Sequence, residues 1–213
     1  RPVTISGSRS YDSTTTADSS ILTITSGVSG ESLSLTGAGI LGAASAGTQT
    51  ITNNNTLAIA DGTGSASNYT LNGASINVTV IPKTLNVTLA REYDGTTTVA
   101  GALLTPTFDS LQGGETLAIS GTGSVANANV GSSKAVTLGT IALAAGSGNP
   151  SNYSLNSVLL DVTQRVINLD GIRAYDATTN VLSSDINTFG NIVSGETLTT
   201  VSYTHLTLPT SND

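Results

Sequence analysis

Cysteine, methionine and tryptophan are absent from these 213 residues, lysine occurs twice and histidine once. Without thiols there can be no disulfide and no thiolate metal site, so stability must rest on burial and hydrogen bonding. The single histidine, His205, lies near the C-terminal end and leaves almost no room for a Ser-His-Asp hydrolase arrangement. Seven cationic side chains face fourteen acidic ones, for a net charge of −7, and the excess is spread evenly along the chain. Nucleic acid demands a basic face, so it is excluded as a partner. No stretch approaches the roughly 18 apolar residues of a membrane span, and no secretory leader pattern opens the chain. Helix formers are scarce as well: Glu, Lys, Arg, Gln and Met together contribute little.

What fills the chain instead is 28 Ser, 35 Thr, 17 Asn and 23 Gly. Threonine and valine suit a pleated surface, while glycine and asparagine supply turns. Period-two alternation is clear at Val3/Ile5, Leu22/Ile24, Leu33/Leu35, Leu57/Ile59 and Ile76/Val78/Val80. It returns at Leu85/Val87/Leu89, Leu117/Ile119, Val136/Leu138, Ile141/Leu143 and Val158/Leu160/Val162. Gly or Asn clusters separate the runs, so the fold is read as all-β.

The strongest signal is self-similarity. Tyr-Asp-x-Thr-Thr occurs at Tyr11, Tyr93 and Tyr175, a period of 82 residues in both intervals. Gly30-Glu31, Gly114-Glu115 and Gly195-Glu196 follow it by about 20 residues, each with a Leu two residues after the Glu. Asn68-Tyr69 and Asn152-Tyr153 come later in the first two repeats. The expected division is 1–81, 82–164 and a truncated third repeat at 165–200. Such a period is too long for a solenoid rung of about 20–50 residues and long enough for a small domain. Six or seven short strands per repeat predict a tandem of small antiparallel β-sandwiches of immunoglobulin-like type, with a β-grasp-like arrangement as the alternative. Ile81-Pro82-Lys83 and Thr163-Gln164-Arg165 leave almost no linker, so neighbouring repeats are expected to support one another's thin cores.

A residue set that recurs in every repeat is better spent on building each repeat than on catalysis, which needs one site. Asp12, Asp94 and Asp176 are read as closing Asx-type turns through a backbone N–H two residues on. Tyr11, Tyr93 and Tyr175 are read as burying their rings and keeping the hydroxyl near a polar partner. Glu31, Glu115 and Glu196, with Asn68, Tyr69, Asn152 and Tyr153, are read as turn and strand landmarks. A glycosidase-type carboxylate pair such as Asp94 with Glu115 recurs as Asp12/Glu31 and Asp176/Glu196, which points to scaffold; no enzymatic activity is expected. Calcium is the cation that would suit such a chain, at the junctions between repeats or at Asp61-Gly62-Thr63-Gly64. The second repeat reads Ala145-Gly146-Ser147-Gly148 there, so that loop holds no repeated site; no cofactor is expected. Phe108-Asp109 is the one idiosyncratic pair, read as a core aromatic beside a turn residue.

Tyr93-Asp94-Gly95-Thr96-Thr97, Gly114-Glu115, Asn129-Val130-Gly131 with Lys134 and Val136, and Asn152-Tyr153 before Leu155 together resemble the YDG-type repeat of filamentous-haemagglutinin-like bacterial proteins. The resemblance spans both complete repeats and the front of the third, and it implies a segment of a large exported adhesin at the bacterial cell surface, associated with the outer membrane. It implies no catalytic residues. Ser13 and Ala177 stand where the family has Gly, which suggests that this turn does not require positive φ. The expected role is a stalk whose partners are its own neighbouring repeats. The rival is that the repeats bind a host or matrix glycan or protein.

Val201-Ser202-Tyr203-Thr204-His205-Leu206-Thr207-Leu208-Pro209-Thr210 matches neither earlier repeat and looks like translated adapter sequence. Residues 201–213 are therefore expected to be a non-native tail. With Arg1 opening in mid-strand, the chain is expected to be a fragment of a longer polypeptide.

Overall fold

The computed structural model of the chain describes residues 1–201. Nearly all of the tail expected to be non-native lies outside those residues. The first repeat contributes eight strands: β1 (Pro2–Ser10), β2 (Thr16–Asp18), β3 (Leu22–Thr25), β4 (Leu33–Thr36), β5 (Ala38–Leu41), β6 (Gly47–Asn53), β7 (Ala58–Asp61) and β8 (Thr70–Ile81). The second contributes eight more: β9 (Lys83–Glu92), β10 (Thr98–Ala100), β11 (Thr107–Phe108), β12 (Leu117–Ser120), β13 (Thr122–Ser124), β14 (Gly131–Ala135), β15 (Ala142–Ala145) and β16 (Tyr153–Thr163). In the third are β17 (Asn168–Gly171) and β18 (Ile186–Gly190). Among the described residues only single turns of 3-10 helix interrupt them, so the protein is all-β and built of tandem small domains.

Both complete repeats have one topology. The first forms a sheet in the order β2-β5-β6-β8-β1-β3, with β4-β7 as a second layer. In the second the same order is split into β11-β9-β16-β14 and β10-β13, with β12-β15 as the second layer. A lone bridge from Ser124 to Thr137 stands where Ile40 pairs with Asn53 in the first repeat. Turn geometry repeats too: Gly37 and Gly121 have φ of +77° and +78°. A Cβ there would lie 2.1 and 2.0 Å from the carbonyl oxygens of Thr56 and Thr140. Only glycine fits either position.

The expected all-antiparallel sandwich is corrected at the centre of each sheet. The first and last strands of each repeat are parallel neighbours: β1 runs beside β8 from Pro2↔Thr70 to Ser10↔Ile81, and β9 beside β16 from Lys83↔Tyr153 to Glu92↔Thr163. The two central strands are thus parallel to each other, and their outer neighbours run antiparallel to them. The physical reason for the discrepancy lies in burial. Parallel pairs are normally covered on both faces and read as continuous apolar runs. Here only one face is covered: Leu85, Val87 and Leu89 are buried while Thr84 and Asn86 face solvent. The strands therefore show the alternation of an antiparallel sheet.

On the covered face, Val87, Leu89, Val158, Leu160 and Val162 pack against Val99 and Ile119 from the shorter strands and against Val125 and Ile141 beside them. Phe108 is half-buried, touching this core and the cluster at the junction with the first repeat. Asp109 accepts from the backbone N–H and side-chain amide of Asn86 at 3.1 and 2.8 Å. In the third repeat β17 has β18 as its one sheet neighbour among the described residues. Leu169, Ile172, Val181 and Leu182 are exposed there accordingly.

Candidate functional site: the joint between repeats

β1 ends at Ser10, and Tyr11 follows with its backbone N–H donating to the carbonyl of Ile81, the last residue of β8, at 2.8 Å. Tyr93 repeats this against Thr163 at 2.9 Å. The next residue closes a tight turn: Asp12 Oδ1 accepts from the N–H and hydroxyl of Thr14, both at 2.9 Å. Asp94 does the same with Thr96 and Asp176 with Thr178. Burial works against the charged Asp12 carboxylate, yet the Thr14 donors and the Arg9 guanidinium outweigh it and hold the group below its ordinary value. Asp176 is lowered by its Thr178 bonds, the backbone one first.

Sequence reasoning overlooked a third member of this turn. Arg9, Arg91 and Arg173 each stand two residues before the tyrosine. Arg91 donates to the carbonyls of Thr96 and Thr98, both at 2.5 Å, and pairs with Asp94 at 3.1 Å; its side chain is only 9% exposed. Arg9 reaches Thr14 and Asp12, and Arg173 reaches Asp176, Thr178 and Asn180. The signal was available, because the arginines share the tyrosines' period. The middle residue of the turn also corrects an expectation. Ser13, Gly95 and Ala177 have φ of +66°, +74° and +61°, so all three adopt the left-handed conformation. The non-glycine residues tolerate it because the Arg-Asp-Thr network around them fixes the turn.

The tyrosine hydroxyl points out of its own repeat. Tyr11 donates to Glu115 Oε1 of the second repeat at 2.7 Å, and Tyr153 of that repeat donates to Glu115 Oε2 at 2.5 Å. One carboxylate thus takes a phenol from each side of the junction. The Glu115 turn is closed by its N–H donating to the Gln112 carbonyl, and the Gln112 N–H donates to the Tyr153 hydroxyl. Asn152, buried, accepts from the backbone N–H of Ala46 across the same boundary at 2.9 Å. Around these bonds Tyr11, Leu41, Val78 and Val80 of the first repeat form one buried cluster with Leu85, Leu117 and Tyr153 of the second. Burial, followed by the bond to Glu115, raises the Tyr11 phenol, and the same causes push Tyr153 up to about 12.

The next junction repeats the plan. Tyr93 donates to Glu196 of the third repeat, which raises its phenol, and Gly95 lies against Val193. Arg165 donates to the Tyr93 carbonyl at 3.3 Å and to Asn191 at 2.7 Å. In the first repeat Glu31 and Tyr69 form the within-repeat half of the same arrangement. Gly64 and Gly148 make room for it: a Cβ would come within 2.8 Å of Glu31 Oε2 and 3.0 Å of Glu115 Oε2. The Asp61–Gly64 loop therefore closes over a carboxylate. Asn68 is exposed and offers its carbonyl to the Arg1 ammonium, and Tyr175 is 93% exposed.

Asp94 and Glu115 are not brought together, since Asp94 follows the end of β9 and Glu115 meets the first repeat near its start. A ten-residue strand spans roughly 30 Å. Among the described residues no three His, Cys, Asp or Glu side chains converge, at the junctions or elsewhere, and the Glu115 oxygens are both occupied by phenols.

Small all-β domains coupled head to tail through a shared carboxylate define the molecule as a tandem-domain array. The chain belongs to the YDG domain family: the YDG domain matches at residues 1–77 and again at 81–159. No curated protein and no solved structure matches the chain. No helix among the described residues is long and apolar enough to cross a membrane.

Proposed function

We propose that this chain is a spacer segment of a bacterial surface adhesin of the filamentous-haemagglutinin-like kind, holding a more distal binding region away from the cell. The observation that supports the reading most directly is the Tyr11–Glu115–Tyr153 joint across a single linking residue, Pro82. The recurring motif is spent on fastening one domain to the next. A carboxylate holding a phenol from each side is a fastening, and at the next boundary Glu196 accepts the phenol of the preceding repeat's Tyr93.

The test is to delete or duplicate one 82-residue repeat in the parent adhesin. A spacer predicts unchanged receptor affinity of the purified protein with altered reach at the cell surface. Loss of receptor binding on deleting the second repeat would instead favour repeats that themselves bind a glycan or protein. Protection of the repeats from protease added to intact cells would count against a surface location.

A further inference from the structure

Glu115 Oε2 is held by Tyr153 of its own repeat and Oε1 by Tyr11 of the preceding one. In the first repeat Glu31 Oε2 is held by Tyr69, while Oε1 receives no donor among the described residues. The contrast extends to the surroundings. Tyr153 is 5% exposed and Asn152 is buried, whereas Tyr69 is half-buried and Asn68 exposed. These are the same residues at the same places in one topology, covered in one repeat and open in the other.

The open face is already organised. Ser26 is buried, and its hydroxyl lies 3.3 Å from the carbonyls of both Val28 and Glu31 while accepting from the Val28 N–H at 3.1 Å. The Glu31 N–H donates to the Val28 carbonyl at 3.3 Å, the bond that Glu115 makes to Gln112 and Glu196 to Val193. Gly64 packs against the Glu31 carboxylate as Gly148 does against Glu115.

We infer that the Glu31–Tyr69 face of the first repeat is a socket for the Tyr-Asp-x-Thr-Thr turn of another YDG repeat, presented head to tail. The occupant's phenol donates to Glu31 Oε1 and its ring lies against Tyr69. The contact is heterologous, since socket and turn are different surfaces, and such contacts extend into open arrays and do not close. The inference rests on the geometry of the two joints and not on the reading as an adhesin spacer.

The experiment extends the full chain by a second copy of residues 1–82 placed before Arg1, so that an added Tyr11-type turn faces Glu31. Glu31→Gln is then compared in the original and the extended chain. In both chains it weakens the Tyr69 bond, so the socket is read from the difference: the shift in the unfolding equilibrium of the first repeat should be on the order of 10-fold larger in the extended chain than in the original, as for one further hydrogen bond to a charged group. An equal shift in both chains overturns the socket. Should the variant not fold, hydrogen exchange in the unsubstituted chains decides: amides of residues 28–33 should exchange at least about 10-fold more slowly in the extended chain, and unchanged rates would overturn the inference. Either failure leaves the observed Tyr11–Glu115 and Tyr93–Glu196 joints, and the spacer reading drawn from them, untouched.

Discussion

The ring of Tyr11 meets the ring of Tyr153 edge-on, with centroids 5.3 Å apart and planes at 76°, although the two residues belong to different repeats. Edge-to-face pairing adds about 0.5–1.5 kcal/mol to what burial alone gives. Their hydroxyls end on the two oxygens of Glu115, so three side chains act as one unit. Tyr11→Phe and Glu115→Gln should each destabilise the junction by about 1–3 kcal/mol. A double-mutant cycle in urea should return a coupling of roughly 1 kcal/mol or more. Additive effects would mean that the joint carries no shared energy.

Arg91 offers a separate test of the turn that presents each tyrosine. Its guanidinium serves two carbonyls and a carboxylate at once, a task for which a lysine ammonium lacks the planar fork. Arg91→Lys should lower the stability of the second repeat by about 2–3 kcal/mol. Arg173→Lys should matter less, since Arg173 is more exposed than Arg91. Chemical denaturation followed by circular dichroism would measure both.

Backbone strain predicts a gain and a loss at equivalent positions. Ser13 and Ala177 carry side chains at positive φ, so Ser13→Gly and Ala177→Gly should each stabilise by about 1 kcal/mol. Gly95→Ala should do the reverse and also loosen the second junction, because the new methyl would sit 2.7 Å from Val193 Cγ1. Thermal unfolding of the three variants gives the sign directly. A stabilised Gly95→Ala would contradict the packing described here.

Alkaline pH should open the first joint late. The fold favours the neutral Tyr153 phenol, raising it from 10.0 to about 12. Its contribution is whole below pH 10 and is lost as the pH climbs through about 12. Absorbance at 295 nm should show Tyr153 ionising near pH 12, and a Tyr153→Phe difference titration isolates it. At the acid end Asp12, held below its ordinary 3.8, contributes above that value and ceases to as the pH falls through its lower folded value.

Much of the strand layout was legible because Leu85, Val87 and Leu89 alternate with polar neighbours, and period two is a local property. The same alternation concealed the parallel pairing of β9 with β16, since one solvated face produces it whichever way the partner runs. Asp12 and Thr14 lie two residues apart and bond within that span, which spacing can suggest. Tyr11 and Glu115 are 104 residues apart, and nothing local says that a phenol will leave its own domain. Arg9, Arg91 and Arg173 were visible as a repeat and carried no turn signal of their own, since arginine belongs to no turn vocabulary. The positive φ at Ser13 was hidden because serine there looks like freedom from the glycine requirement.

Each complete repeat receives the chain at the start of one central strand and releases it at the finish of that strand's parallel neighbour. A longitudinal pull therefore grips opposite ends of a single ladder and loads its pairs, Lys83↔Tyr153 through Glu92↔Thr163 in the second repeat, in shear and all together. Handles at Lys83 and Tyr153 grip the same end and would unzip the bonds one after another. Single-molecule stretching should find the end-to-end geometry the stronger, and equal rupture forces would refute this. With only Pro82 between β8 and β9, tension leaving one ladder enters the next almost directly.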